Sequence, residues 1–224
     1  MAKTYKLIIF DWEGTLVDTL GRVLHNVAIE ANKLNYGCFE LKLARQYAAL
    51  GLDVAISKIF PHLSTSQRHI LLNAVQDSMI TQPRHALHLL PGARKIIEYL
   101  SQHGMYLAIA SNKGQQSLLK AVQQAGLQPF FKIIKSAGIL PPKPCPQMLM
   151  EILDESLISN TEALMIGDSV SDIEMACQLH VDAIGIDFYN QNTAALLQAG
   201  AVHVFDDYQK LFQFFENIHL GTND

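Results

Sequence analysis

The stretch Lys6-Leu-Ile-Ile-Phe10-Asp11-Trp12-Glu13-Gly14-Thr15 opens with apolar, partly β-branched residues and stops abruptly in a polar turn that contains glycine. A short continuous apolar run bounded by a turn reads as a strand buried on both faces, as in parallel sheets. The same form recurs at 105–110 before Ser111-Asn112, at 131–134, at 163–166 before Gly167-Asp168, at 182–186 and at 202–205. Between these runs, apolar residues at helical spacing predict helices over 93–102, 115–125, 147–153, 172–179, 193–199 and 208–218. Strand alternating with helix predicts an α/β fold, a doubly wound, mostly parallel sheet with helices on both faces and right-handed crossovers.

One region breaks the alternation. Residues 19–84 carry no convincing strand pattern and instead show helical spacing over 20–34, 41–50, 54–60 and 66–80. The expected organisation is therefore a catalytic core formed by 1–18 and 85–224, interrupted by an all-α cap over 19–84. The cap enters just after the first strand, and the core resumes before Leu90-Pro91-Gly92, where proline starts a new crossover helix.

The 224 residues, 49% apolar and 17% charged, have the composition of an ordinary globular chain and exclude disordered and collagenous classes. A net charge of −4, with no dense basic run, argues against nucleic acid as a partner. No apolar run approaches the ~20 residues needed to cross a bilayer, so no membrane partner is expected. The first residues lack the apolar core of a signal peptide. Cys38, Cys145 and Cys177 are widely spaced and suit a reducing compartment, which makes the cytoplasm the expected location.

In open parallel sheets ligands bind beyond the carboxyl ends of the strands. Those ends are polar here: Asp11 and Glu13 follow the first strand, Ser111 and Asn112 the second, and Asp168 with Asp172 the 163–166 strand, while Lys143 lies between prolines after the third. Each residue also has a plain structural reading. Asp11 can form a turn, Ser111-Asn112 or Asp168-Ser169 can cap a helix, Asp172 can complement a helix dipole, and Glu13 and Lys143 can be solvated surface charges. Their placement at successive strand ends separates the readings. Clustered carboxylates repel unless a hard divalent cation sits among them, and Mg²⁺ is the usual choice where phosphate also binds. Asp11 and Asp168 can supply that ion, Ser111 and nearby backbone amides can dock a phosphoryl group, and Lys143 can offset charge. A carboxylate oxygen of Asp11 could then attack phosphorus in line, with Glu13 as the acid/base.

Four motifs in order carry a resemblance: Ile9-Phe-Asp-Trp-Glu-Gly-Thr-Leu-Val-Asp18, Ala110-Ser-Asn-Lys113, Lys143-Pro-Cys-Pro146 and Ile166-Gly-Asp-Ser-Val-Ser-Asp-Ile173, with Leu90-Pro-Gly92 between the first and second. The chain resembles haloacid dehalogenase superfamily hydrolases of the phosphoglycolate-phosphatase-like type, with a helical cap on a Rossmann-like core. The resemblance implies a Mg²⁺-dependent phosphatase that acts on a small phosphorylated metabolite, as a monomer or homodimer. It implies that Asp11 forms an aspartyl-phosphate and that Ser111, Asn112 and Lys143 hold the phosphoryl group. Asp168 and the backbone carbonyl of Glu13 would join Asp11 in binding the metal, and Asp172 would support its water shell or orient Lys143.

One position departs from the pattern: the family's phosphatases carry aspartate as acid/base where this chain has Glu13, longer by one methylene. Acid/base catalysis is worth about 10²–10⁴-fold, which bounds the effect of a misplaced carboxyl group. A phosphomutase, a phosphonatase or a catalytically weakened phospho-ligand-binding protein are the alternatives. A phosphonatase needs a cap lysine, and Lys33, Lys42 and Lys58 have no distinctive context. Trp12 reads as a packing residue, the His85/His88 pair as surface and Cys145 as unreactive.

Overall fold

The computed structural model describes residues 4–39, 44, 47, 52–81 and 89–220. The chain divides into two compact units, Met1–Val17 with Leu89–Asp224, and Asp18–His88.

The first unit is built on six strands: β1 (Leu7–Phe10), β2 (Tyr106–Ser111), β3 (Ile133–Ser136), β4 (Ala163–Gly167), β5 (Asp182–Ile186) and β6 (His203–Phe205). They form one sheet in the order β3-β2-β1-β4-β5-β6, parallel at every pairing. The expected α/β architecture is the one observed. All four residues of β1 are buried, as the unbroken apolar run requires of a strand covered on both faces. Leu7 and Ile9 share one core cluster with Ala108, Met165, Met148 and Ile173. The strands are joined by α4 (Ala93–Gln102), α5 (Gln115–Gln124), α6 (Gln147–Ser156), α7 (Val170–Gln178) and α8 (Thr193–Ala199), and α9 (Tyr208–Leu220) follows β6. In α9, Leu211 and Phe215 are buried, so its apolar stripe is core.

Several boundaries differ from the sequence reading by one to three residues, and two of the differences have a direct physical cause. β3 begins at Ile133 rather than at 131, because Gln128–Phe130 is a 3₁₀ turn and Phe131 is buried edge-on against Phe10, with ring centroids 6.3 Å apart. α7 begins at Val170, two residues before Asp172, because Ser169 is its N-cap and Asp172 closes a capping box from the third position.

The second unit contains α1 (Thr19–Lys33), α2 (Leu52–Ile59) and α3 (Thr65–Thr81). Asp18 caps α1 by accepting from the Gly21 N–H at 2.7 Å. Ser64 and Gln67 exchange side-chain and backbone hydrogen bonds at the start of α3. Val27 and Ala31 of α1, Ile56 of α2, Phe60, Leu63, and Leu71 and Val75 of α3 form its core. Among the described residues of this unit no strand occurs. The expected helix over 41–50 and the His85/His88 pair lie outside the described residues, apart from Ala44 and Tyr47, which are helical.

Candidate active site

From β1 the chain winds outward through β2 and β3, then returns to the opposite side of β1 at β4. The crevice at such a reversal, beyond the carboxyl ends, is where open α/β sheets take ligands. Asp11 directly follows β1, with its N–H donating to the Ile166 carbonyl of β4 at 2.9 Å, and Asp168 directly follows β4. The two carboxylates therefore flank the reversal.

Lys143 reaches the same point from the loop after β3. Its ammonium donates to Asp11 Oδ1 at 2.5 Å, to Asp172 Oδ1 at 2.5 Å and to the Ala110 carbonyl at 3.0 Å. With 6% of its surface exposed, it is not the solvated loop lysine of the plain reading. Asp172 serves as both helix cap and lysine partner, because its second oxygen accepts from the Ser169 N–H at 3.1 Å and hydroxyl at 2.6 Å. Asp168 accepts from the Thr15 hydroxyl at 3.2 Å, and the Thr15 carbonyl accepts from the buried Tyr208 hydroxyl at 2.6 Å. Gly14 turns this segment at φ +86°, and a Cβ there would overlap the Asp168 carboxylate. Only glycine combines that dihedral with that approach.

Asp11, Asp168 and Asp172 each present an oxygen within 4.8 Å of the others. Three carboxylates face one buried ammonium, and their electrostatics record the imbalance. Burial pushes Asp11 up to about 8, with Lys143 opposing and Asp172 and Asp168 adding to the rise. Burial pushes Asp168 up to about 7, with Asp172 adding to it. Burial works against the charge of Lys143, yet Asp11 and Asp172 outweigh it and hold the ammonium above its ordinary range. A site that accumulates negative charge faster than one lysine offsets it takes up either protons or a cation. The donors are all carboxylate oxygens, the set a hard divalent ion prefers, so the residues fit a metal of that kind.

The β2–α5 loop completes the edge. Ser111, the last residue of β2, is 1% exposed, and its hydroxyl accepts from the Lys113 N–H at 3.3 Å. The Asn112 side chain bonds the backbone of Lys143. The Lys113 ammonium donates to Glu13 Oε1 at 2.8 Å, and the Glu13 side chain is 46% exposed. Asp11, Lys143 and Asp172 thus meet directly, Asp168 brings an oxygen within 4.8 Å of the other two carboxylates, and Ser111 sits one residue beyond the Ala110 carbonyl that Lys143 holds. Glu13 stands apart from the three-carboxylate group, tied to Lys113. Trp12 is fully buried. Gly14, Thr15, Lys113 and Tyr208 have no site role in the sequence reading, although Lys113 closes the second motif. Gly14 and Thr15 lie inside the first motif, whereas nothing in the local sequence marks Tyr208, 193 residues from Thr15.

A doubly wound sheet with an aspartate after β1, a second acid two residues on, a buried lysine and a carboxylate pair after β4 is the arrangement that the resemblance of the four motifs to a class of phosphoryl-group hydrolases implies. Residues 8–186 match the family model described as "Haloacid dehalogenase-like hydrolase". The phosphoglycolate phosphatase of Vibrio cholerae is 27% identical over 224 residues, covering 94% of this chain and 97% of that protein. That of Vibrio vulnificus strain YJ016 is 30% identical, covering 83% and 85%. A Thermotoga maritima structure provisionally named β-phosphoglucomutase shares the fold with a TM-score of 0.66 at 19% identity, covering 93% of this chain and 98% of that one. The chain belongs to the haloacid dehalogenase-like hydrolase family and resembles its phosphoglycolate-phosphatase members; its enzymatic class is phosphoric monoester hydrolase.

Proposed function

We propose that this protein is a Mg²⁺-dependent phosphatase that hydrolyses a small, phosphoglycolate-like phosphomonoester through an aspartyl-phosphate on Asp11. The observation that carries the reading is the buried contact of Lys143 with Asp11 and Asp172 at the sheet reversal, within reach of Asp168. The relatives named phosphoglycolate phosphatase support the substrate class.

An oxygen of Asp11 attacks phosphorus as the bond to the ester oxygen breaks, and the leaving oxygen takes a proton from Glu13. Water then attacks phosphorus and gives its proton back to Glu13. The Asp11–phosphorus bond breaks, releasing inorganic phosphate and restoring the carboxylate. Ser111 and Lys143 bind the phosphoryl oxygens, with Asn112 in the same loop. Asp11, Asp168, Asp172 and the Glu13 backbone carbonyl are the residues that would hold Mg²⁺. When bound, the ion neutralises charge on the phosphoryl oxygens and favours ionised Asp11. The helical unit acts as the cap that selects the substrate, and the three free cysteines suit a cytoplasmic location.

The test is phosphate release from a panel of phosphomonoesters with and without Mg²⁺, in the wild type, Asp11→Asn and Glu13→Asp. Metal-dependent release that disappears in Asp11→Asn supports the proposal, and the best panel member names the substrate. The exposed pairing of Glu13 with Lys113 favours one second reading, a weakened phospho-ligand binder. A silent wild type beside an active Glu13→Asp would establish it. Conversion between sugar-phosphate isomers would reveal a mutase instead.

A further inference from the structure

Asn112 uses both ends of its side-chain amide on a single residue 31 positions away. Oδ1 accepts from the Lys143 N–H at 2.8 Å, and Nδ2 donates to the Lys143 carbonyl at 3.4 Å. Lys143 lies in Pro141-Pro142-Lys143-Pro144, where proline supplies no backbone donor, so its N–H is the only one in the tetrapeptide. That donor goes to Asn112. The Ala137 N–H donates to the Ser111 carbonyl at 3.0 Å at the start of this loop, and within the tetrapeptide the Pro144 carbonyl accepts from Gln178 Nε2 at 2.7 Å and the Pro142 carbonyl from the Cys145 N–H at 3.0 Å; none of these bonds touches the Lys143 backbone.

The far end of the same residue is held just as closely, with Nζ 2.5–3.0 Å from Asp11, Asp172 and the Ala110 carbonyl. A lysine stem anchored at both ends has its ammonium placed by where its Cα is pinned. We infer that Asn112 is a positioning residue for Lys143: its side chain clamps the backbone of the loop lysine to the end of β2 and thereby sets where the ammonium meets the reacting aspartate. The side chain is committed to Lys143 rather than presented to a phosphoryl group. The kinetic consequences rest on the phosphatase reading, whereas the clamp does not.

Four proteins test it: Asn112→Ala, Asn112→Asp, Lys143→Met and the Asn112→Ala/Lys143→Met double variant. Asn112→Asp keeps an acceptor facing the Lys143 N–H. The first readout is hydrogen exchange of the Lys143 amide by NMR, which needs no turnover. Exchange should quicken by about tenfold in Asn112→Ala, the equivalent of one lost hydrogen bond, and stay near wild type in Asn112→Asp. The second is Mg²⁺-dependent hydrolysis of p-nitrophenyl phosphate. Misplacing a catalytic group by about 1 Å is worth about 10²-fold, so Asn112→Ala should lose about 10–100-fold in kcat/KM. In the Lys143→Met background the same substitution should change activity, or affinity for inorganic phosphate, by less than about twofold, because residues that act through one another are not additive.

Unchanged amide exchange in Asn112→Ala overturns the inference. So does an equal loss from Asn112→Ala in the wild-type and Lys143→Met backgrounds, since Asn112 would then act on the ligand or the fold by itself. A wild type that hydrolyses no phosphomonoester overturns the phosphatase reading alone, and the clamp is then decided by amide exchange and by inorganic phosphate affinity across the same four proteins.

Discussion

Replacing Lys143 with methionine keeps an unbranched stem of similar length and removes one buried charge. The Lys143 side chain is 3% exposed, and those of its partners Asp11 and Asp172 are 7% and 1% exposed. Each contact is 2.5 Å, so at an effective dielectric near 20 the two attractions total about 13 kcal/mol gross. Burying three charged groups offsets most of that, and truncating one partner of a buried pair leaves a net loss of about 3–5 kcal/mol. For a chain of this size that is about 6–20 °C in Tm.

The loss should depend on pH, and its sign follows from the carboxyl groups. Asp11 and Asp168 titrate near 8 and near 7 with the lysine in place, against an ordinary value of 3.8, and removing the ammonium raises both further. A folded-state value raised above the unfolded one contributes stability that is complete at low pH and is lost as pH rises through the folded value. Metal-free Lys143→Met should therefore lag the wild type least near pH 5, where the carboxyls are protonated, and most near pH 8–9. Scanning calorimetry of both proteins in chelator across that range makes the measurement. The same deficit at pH 5 and pH 8 would assign the loss to packing, and a deficit below about 3 °C would mean that the ammonium is not the counter-charge of the site.

Three further outcomes follow from the same geometry. Gly14→Ala places a methyl group against the Asp168 carboxylate at a strained dihedral and should raise the Mg²⁺ concentration for half-maximal activity by about 10–100-fold, read from a metal titration of turnover. Mg²⁺ binding near pH 7 should release protons held by Asp11 and Asp168, with release fading above pH 9 and affinity weakening as pH falls from 8 to 6; calorimetry in two buffers of different ionisation heat counts them. Tyr208→Phe removes the bond to the Thr15 carbonyl and leaves a buried acceptor unpaired, which should cost about 1–3 kcal/mol in denaturant unfolding while metal affinity falls through Thr15 and Asp168.

The legibility of this chain divides along physical lines. The strand runs could be read because a strand buried on both faces needs an unbroken apolar stretch, and β1 and β4 supply one. Asp11, Ser111 and Asp168 could be read because the fold places strand ends on one edge, so position along the chain is already position in the site. β3 was misplaced by two residues because Phe131 is buried by Phe10 rather than by strand pairing. Burial alone does not say which. Asp172 read as either a first-turn acid complementing a helix dipole or a site residue, and it holds both places, one oxygen on Ser169 at the start of its helix and the other on Lys143. The work of Asn112 and Lys113 was hidden, since their partners lie 31 and 100 residues away on other loops and local sequence does not report side-chain direction across that span.

The Glu13–Lys113 pair turns the departure in the first motif into a question of reach. The contact is 2.8 Å between side chains 46% and 27% exposed, and pairs this open are worth about 0–1 kcal/mol. Glu13 can therefore leave Lys113 for the oxygen of a leaving group at a cost of at most about fivefold in rate. Shortening Glu13 to aspartate withdraws the carboxylate by one carbon–carbon bond, about 1.5 Å, which would put it about 4.3 Å from an unmoved Lys113 and outside ion-pair range. Glu13→Asp thus changes reach and tether together, whereas Lys113→Met releases the tether alone. If Glu13 is an acid/base that the lysine merely parks, Lys113→Met should change kcat by less than about fivefold while Glu13→Gln loses about 10²–10⁴-fold. A loss in Lys113→Met as large as that in Glu13→Gln would refute the parking role. It would show that the longer acid works only when Lys113 aims it, so that the lysine offsets the extra methylene.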